Sequence, residues 1–419
     1  MNTKNIWRPF TQEQTVPPPI KIARGEGLYL YSEDGRKWAD MISSWWVNIH
    51  GHANKKISDA IAKQAATLEQ VIFTAFSHDP AEKLITNLQT VLPPSLNKFF
   101  FSDNGSTSVE VALKMAYQFF RNHGDMKRKL FLHLEGSYHG DTFGAMSVSG
   151  KHDSVFHFNF SDLFFDAVAV KVPEFFDGVE NIQSKENEII ANLEKQLEQG
   201  LGEQVCALIV EPLLQGSRGM ILHRPQFLER LMQTVRKFGI LVIFDEVMTG
   251  FFRTGRFFAM NYLQEEKPDL LCLSKALTGG FLPLSLTVAT EKIYNAFLSD
   301  DFSKAFIHGH SYTGNPIACA AACKSFEILT RPETIAHIKE IENIHKHTEI
   351  KGAKKRRSLG VMTAFDMNSA EGAKKLTSRL FEKGIFVRPL DKTVYLFPPY
   401  CISINELIDV YDKINEMME

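Results

Sequence analysis

The chain has 419 residues and carries 47 Lys+Arg against 49 Asp+Glu, a formal net charge of −2. That length suits two or three structural units of roughly 100–200 residues, and 44% apolar with 23% charged residues is an ordinary globular composition. The charge balance leaves no basic footprint for nucleic acid or an anionic membrane surface, and no apolar run approaches the ~18–20 residues of a membrane helix.

The opening MNTKNIWRPFTQ has neither an apolar h-region nor a small-residue cleavage site. Leu28–Tyr31 and Lys37–Met41 flank the turn Ser32–Gly35 and predict a hairpin. Next come Ser44-Trp45-Trp46. Adjacent side chains on a strand or a helix do not both enter one core, so one tryptophan is expected at a cavity or an interface. An aromatic face there could hold a cationic ligand such as a sulfonium or simply pack against a partner.

Short apolar runs then alternate with helical patterns, which predicts a parallel sheet covered by helices, an α/β fold. The strand candidates are Lys98–Ser102, Lys129–His133, Val205–Glu211, Ile240–Asp245 and Leu270–Ser274. After the first of these, Asp103-Asn104-Gly105-Ser106-Thr107 opens a helix with apolar residues at 109, 112, 113 and 116. Its start offers free N–H groups to a phosphate; alternatively, Thr107 and Glu110 fit a capping box. The loop Glu135–Thr142 contains Tyr138, able to stack on an aromatic ring, and His139, which lacks the spacing to His133 or His152 of a metal site and is expected to be a loop histidine without a metal.

Ligands of open α/β sheets sit outside the carboxyl ends of the strands, so Glu211, Asp245, Glu246 and Lys275 are expected to gather at one edge. Asp245 and Lys275 end two neighbouring strand candidates 30 positions apart. A carboxylate and an amine so placed suit pyridoxal phosphate, whose aldehyde takes a lysine and whose ring nitrogen takes an acid. A structural ion pair is the alternative. Mg²⁺-binding carboxylates would need a GxxxxGK[ST] loop, which is missing.

From Pro316 the pattern predicts a long helix, short strands at 361–366, 384–389 and 393–397, and a final helix: a smaller α+β domain made from both chain ends. Lys354–Arg357 (KKRR) is expected to be a solvated loop of that domain. Arg388 could clamp a substrate carboxylate or be a surface charge. The five cysteines lack a CxxC pair, and Cys319 and Cys323 are expected to pack as small apolar residues in a reduced, cytoplasmic protein.

Ile243-Phe244-Asp245-Glu246-Val247, Thr249-Gly250-Phe251, Arg253-Thr254-Gly255 and Ser274-Lys275-Ala276-Leu277 together resemble the signature of the class III aminotransferases, fold-type I pyridoxal-phosphate enzymes, and the resemblance covers essentially the whole chain. It implies a large domain at 51–310 with a mostly parallel seven-stranded sheet between helices, and a smaller domain at 311–419 joined by residues 1–50. It also implies a homodimer with shared active sites and no metal.

By the same resemblance Lys275 would condense with the cofactor's aldehyde and shuttle protons, Asp245 would bind the ring nitrogen, and Tyr138 would cover the ring. Gly105, Ser106 and Thr107 would cup the phosphate, with Ser311 reaching it from the partner subunit. Trp45, Trp46, Arg253, Gly309, Arg388 and Tyr395 would line the substrate site. Ile6–Thr11, Ser43–Trp46, Tyr138–Thr142, Val387–Pro389 and Pro398–Tyr400 are similar to one branch of the family. That branch implies S-adenosylmethionine as amino donor, 8-amino-7-oxononanoate as acceptor, and Arg388 on the acceptor's carboxylate; lysine as donor, or an ω-amino-acid substrate, are alternatives.

Three positions depart from the pattern: Phe252 replaces a glycine and predicts an altered turn, Phe10 stands for a tyrosine near the substrate, and Ser311 replaces a threonine. An intact Asp245 and Lys275 argue against a non-catalytic scaffold.

Overall fold

Continuous apolar strands dictate the layering. Val205–Val210, Leu241–Asp245 and Leu270–Leu273 are buried along their whole length, as strands must be when helices cover both faces of a sheet. The computed structural model describes residues 5–149 and 158–418; His152 lies outside the described residues. Its strands in chain order begin with β1 (Ile22–Glu26), β2 (Tyr29–Ser32), β3 (Lys37–Asp40), β4 (Leu96–Ser102), β5 (Leu130–Leu134), β6 (Ala167–Val170), β7 (Val205–Val210) and β8 (Leu214–Gln215). They continue with β9 (Ile221–Leu222), β10 (Leu241–Asp245), β11 (Leu270–Leu273), β12 (Ser285–Thr290), β13 (Lys354–Leu359), β14 (Met362–Asp366), β15 (Ile385–Phe386) and β16 (Thr393–Leu396).

The central sheet has seven strands in the order β4-β12-β11-β10-β7-β5-β6. Strands β11, β10, β7, β5 and β6 run parallel to one another, and β12 alone opposes its neighbours β11 and β4. The five strands expected from sequence all lie here; β6 and β12 were not foreseen individually. The helix Gly105–Asn122 packs on the sheet through Val109, Ala112, Leu113 and Ala116, the four positions that its periodicity selects. Burying such side chains contributes about 1.5–3 kcal/mol for each of the larger ones.

The hairpin forms as β2 against β3, pairing Tyr29 with Ala39 and Leu30 with Trp38. Strand β3 then pairs in parallel with β15, Ala39 opposite Ile385, which ties the N-terminal strands to the C-terminal region. The helices Pro316–Leu329 and Ile404–Met418 also stand where expected; the former starts with Asn315 capping the Ala318 N–H at 2.9 Å and a proline at its first turn.

The KKRR expectation fails. Lys354–Arg357 opens β13, and Arg357 is buried with Nη2 2.9 Å from Asp366 Oδ1. A run of four charges reads as solvated, yet alternate residues of a strand face opposite ways. Cys319 and Cys323 are buried and unbridged, as their spacing predicts.

Candidate active site

The carboxyl ends of β7, β10 and β11 open into a cavity of about 720 Å³. Asp245, Glu211 and Lys275 border it together. Asp245, the last residue of β10, accepts a 2.7 Å hydrogen bond from His139 Nδ1 at Oδ2 and one of 3.1 Å from the Val247 N–H at Oδ1. His139 is therefore no idle loop residue. Its ring is buried, and Nε2 has no hydrogen-bond partner among the described residues. Only its place beside Tyr138 at a strand end hinted at a role.

Lys275 follows β11 in left-handed backbone (φ 47°), with Nζ 4.5 Å from the centre of the Trp46 ring. Burial lowers its amine to about 8, against the opposing pull of Asp245 and Glu211. Glu211 accepts from the Tyr138 and Gly216 N–H groups, each at 3.0 Å; desolvation nevertheless pushes it up to about 7. Glu246 does not join them. Its carboxylate turns away from the cavity to accept from the N–H groups of Ala259 (2.6 Å) and Met260 (2.9 Å), because neighbours on a strand point to opposite faces.

The helix start at Gly105 is bare. A Cβ on Gly105 would lie 2.6 Å from Val247 Cγ1, and one on Gly140 2.3 Å from Ser106 Oγ, so side chains are excluded where the helix, the Tyr138 loop and β10 converge. Gly105 and Ser106 border the cavity. Thr107 does not; its Oγ1 donates to the Asn104 carbonyl at 2.8 Å and accepts from the Asn104 N–H at 3.2 Å. The capping box is thus Asn104 with Thr107, not Thr107 with Glu110. Glu110 instead accepts from the Gly144 N–H at 2.6 Å. Capping and an anion site coexist, since the box uses few of the free donors.

Both tryptophans border the cavity, where the family resemblance puts them, although adjacency alone predicts only one at a cavity or an interface. Ser43, Ser44, Trp45 and Trp46 have φ of 50°, 46°, 74° and 71°, a left-handed turn that the alternation of strands and right-handed helices does not describe. L-residues in this region cost roughly 1–2 kcal/mol each. Trp46 is 4% exposed, its Nε1 donating to Tyr395 Oη at 3.2 Å. Trp45 is 39% exposed, with the Arg388 guanidinium 4.5 Å from its ring centre and the Phe10 ring edge-on at 5.3 Å. Tyr138 borders the cavity, its hydroxyl donating to Asp141 at 2.7 Å.

Arg253 was expected among the substrate contacts and is not there. It is fully buried, donating to the carbonyls of Pro398 (2.9 Å) and Trp46 (3.2 Å) over the Phe397 ring. Phe252 has a left-handed backbone (φ 68°), with its ring edge-on against Phe257. Gly309 and Ser311 do not border the cavity of their own chain; the Ser311 carbonyl accepts from Gln70 Nε2 at 2.9 Å.

An amine of lowered pKa, a carboxylate fixed by two donors and a bare helix start fit pyridoxal phosphate, which needs a nucleophilic lysine, an acid and an anion site. The sequence model of the family described as Aminotransferase class-III matches residues 10–418. The adenosylmethionine-8-amino-7-oxononanoate aminotransferase of Synechococcus elongatus is 46% identical, covering 99% of this chain and 98% of its own. That of Staphylococcus aureus is 35% identical, over 97% and 94%. Among solved structures, the enzyme of the same name from Methanocaldococcus jannaschii superposes with a TM-score of 0.88 at 34% identity, covering 99% of this chain and 97% of that one. An amine transaminase of an uncultivated Pseudomonas in its PLP-bound form gives 0.88 at 27%, over 99% and 98%.

Proposed function

The chain belongs to the class III aminotransferases, which are pyridoxal-phosphate enzymes, and from that membership we propose that it transfers an amino group from S-adenosylmethionine to 8-amino-7-oxononanoate, giving 7,8-diaminononanoate in biotin biosynthesis. The names of its relatives support the substrates. The observation that carries the reading is the placement of Lys275 and Asp245 at the ends of two paired strands, beneath Trp46 and within one cavity with Arg388.

Pyridoxal phosphate, when bound, supplies an electron-withdrawing ring that stabilises negative charge on the substrate carbon. Asp245, oriented by His139 and the Val247 N–H, would hold the proton on the ring nitrogen. Gly105 and Ser106 receive the phosphate at the helix start. Lys275 Nζ would hold the cofactor's aldehyde and, once displaced by the substrate amine, would move the proton to and from the substrate carbon, a task suited to an amine whose pKa of about 8 lies close to neutrality. Tyr138, Trp46 and Tyr395 wall the ring and exclude water. Arg388 pairs with the acceptor's carboxylate, and the open face of Trp45 meets the sulfonium of the donor. Two protomers form a cytoplasmic homodimer in which Gly309 and Ser311 of each serve the cavity of the other.

Adding candidate donors to the holoenzyme tests this reading. S-adenosylmethionine is expected to bleach the visible band within one turnover and lysine to leave it. Bleaching by lysine alone would move the chain to the lysine-dependent alternative. Borohydride should fix the cofactor on Lys275 alone, and Lys275→Ala should abolish turnover.

A further inference from the structure

The left-handed turn Ser43–Trp46 is closed by its own backbone, the Trp46 N–H donating to the Ile42 carbonyl at 2.8 Å and the Val47 N–H to the Ser43 carbonyl at 3.0 Å. Yet four successive non-glycine residues sit in a region that L side chains disfavour, so side-chain bonds must offset the strain. Its fasteners reveal what governs the tryptophan pair. Asp40, the last residue of β3, is completely buried. Its Oδ1 accepts from the Ile42 N–H at 3.3 Å, and its Oδ2 accepts from Ser44 Oγ at 2.6 Å and His52 Nε2 at 3.1 Å. His52 Nδ1 in turn accepts from Asn48 Nδ2 at 2.9 Å, which leaves the imidazole proton on Nε2, facing Asp40. One carboxylate therefore gathers the residue entering the turn, a residue within it and, through His52, the residue leaving it.

Two further bonds grip the turn from the C-terminal segment and the neighbouring loop. Ser43 Oγ donates to the Phe397 carbonyl at 2.8 Å, and Arg253 Nη2 donates to the Trp46 carbonyl at 3.2 Å. Trp46 is also pinned through its ring to Tyr395. Trp45 has no such anchor of its indole among the described hydrogen bonds; its ring is placed by the backbone of the turn together with its contacts to Arg388 and Phe10.

We propose that Asp40, acting through the Ser44 hydroxyl, is a positioning residue that sets Trp45 at the cavity mouth and thereby sets the affinity for both substrates. The proposal rests on the reading of this cavity as the substrate site. Losing the tether lets residues 44 and 45 relax toward right-handed or extended angles and swings Trp45 off Arg388. Lys275 and Asp245, held by other strands, stay in place. Binding is weakened while the chemical step is preserved.

Ser44→Ala and Asp40→Asn test it. The amide introduced by Asp40→Asn puts a donor where one carboxylate oxygen accepts, so the variant side chain cannot receive all three bonds. For Ser44→Ala the KM for donor and acceptor is expected to rise roughly tenfold, the scale of a lost hydrogen bond to a charge, with kcat within about twofold. The double variant should be no worse than Ser44→Ala alone, because Asp40 acts on Trp45 through the Ser44 hydroxyl. In a Trp7→Phe background, Ser44→Ala should also lose near-ultraviolet tryptophan dichroism and expose an indole to iodide quenching.

Unchanged KM and dichroism in Ser44→Ala would overturn the proposal, as would a fall in kcat at constant KM. Should Asp40→Asn fail to fold, Ser44→Ala still decides. Should the unmodified enzyme turn over neither substrate, the functional reading fails, and the dichroism and quenching still decide whether the tether holds Trp45.

Discussion

Lys275 sits where two effects oppose each other: burial favours its neutral amine, while the charges of Asp245 and Glu211 favour the ammonium. Burial prevails and leaves the group at about 8. The neutral amine is the nucleophile, so the rate at which the apoprotein captures pyridoxal phosphate should climb with pH and level off above about 8. Glu211 titrates near 7 and is anionic over most of that rise. Glu211→Gln removes a charge that raises Lys275, so the midpoint should move to lower pH. Stopped-flow absorbance across a pH series measures it; a move to higher pH would contradict this account of the pair. Asp245 and Lys275 were legible in the sequence because the ends of apolar runs point to one sheet edge. Their partner His139 was not, because a loop histidine shows its contacts only when the loop is folded over the strand.

At the scale of elements, Arg357 bolts β13 to the region beside the cavity. Besides Asp366 it reaches the Met220 carbonyl at 2.9 Å and Thr393 Oγ1 at 3.2 Å, so it connects β13, β14 and β16 to the loop that contains Ser217, a residue bordering the cavity. Arg357→Met leaves the buried Asp366 with only Lys392 Nζ at 3.8 Å and the Thr393 hydroxyl at 2.9 Å, at an expected loss of up to about 3–5 kcal/mol in urea unfolding. Lys354→Met, at the exposed start of the same strand, should change stability by less than about 0.5 kcal/mol. Arg357→Met with Asp366→Leu should recover part of the loss, since no lone charge remains. Equal effects of the two single substitutions would mean that the run is solvated after all. Sequence cannot separate these neighbours: both are cations in a cationic run, and only strand pairing decides which of them faces inward.

For the whole molecule, the placement of Gly309 and Ser311 outside their own cavity makes a homodimer with crossed contributions testable. Lys275→Ala and Ser311→Asp should each be strongly impaired, the second because a carboxylate would oppose the phosphate. Unfolded together and refolded, they should regain about a quarter of full activity, since half of randomly paired dimers carry one intact site of two. No recovery would place Ser311 in service of its own chain, and an unimpaired Ser311→Asp would place it in service of no site.

The sequence by itself determined the layers and the chemistry. Apolar runs too short for helices and buried on both faces favour a mostly parallel sheet covered by helices, and its carboxyl edge is where Asp245 and Lys275 are expected to meet. What the tertiary structure alone decided is the aim of individual side chains: the inward turn of Arg357, the retreat of Glu246, Thr107 and Arg253 from the cavity, and the left-handed backbone by which the two tryptophans reach it. Backbone handedness at Ser43–Trp46 depends on bonds from Asp40, Phe397 and Arg253. Two of those three partners lie far away in the chain, at separations of 354 and 207 residues, and no local pattern of residues encodes a fastener supplied from so far off.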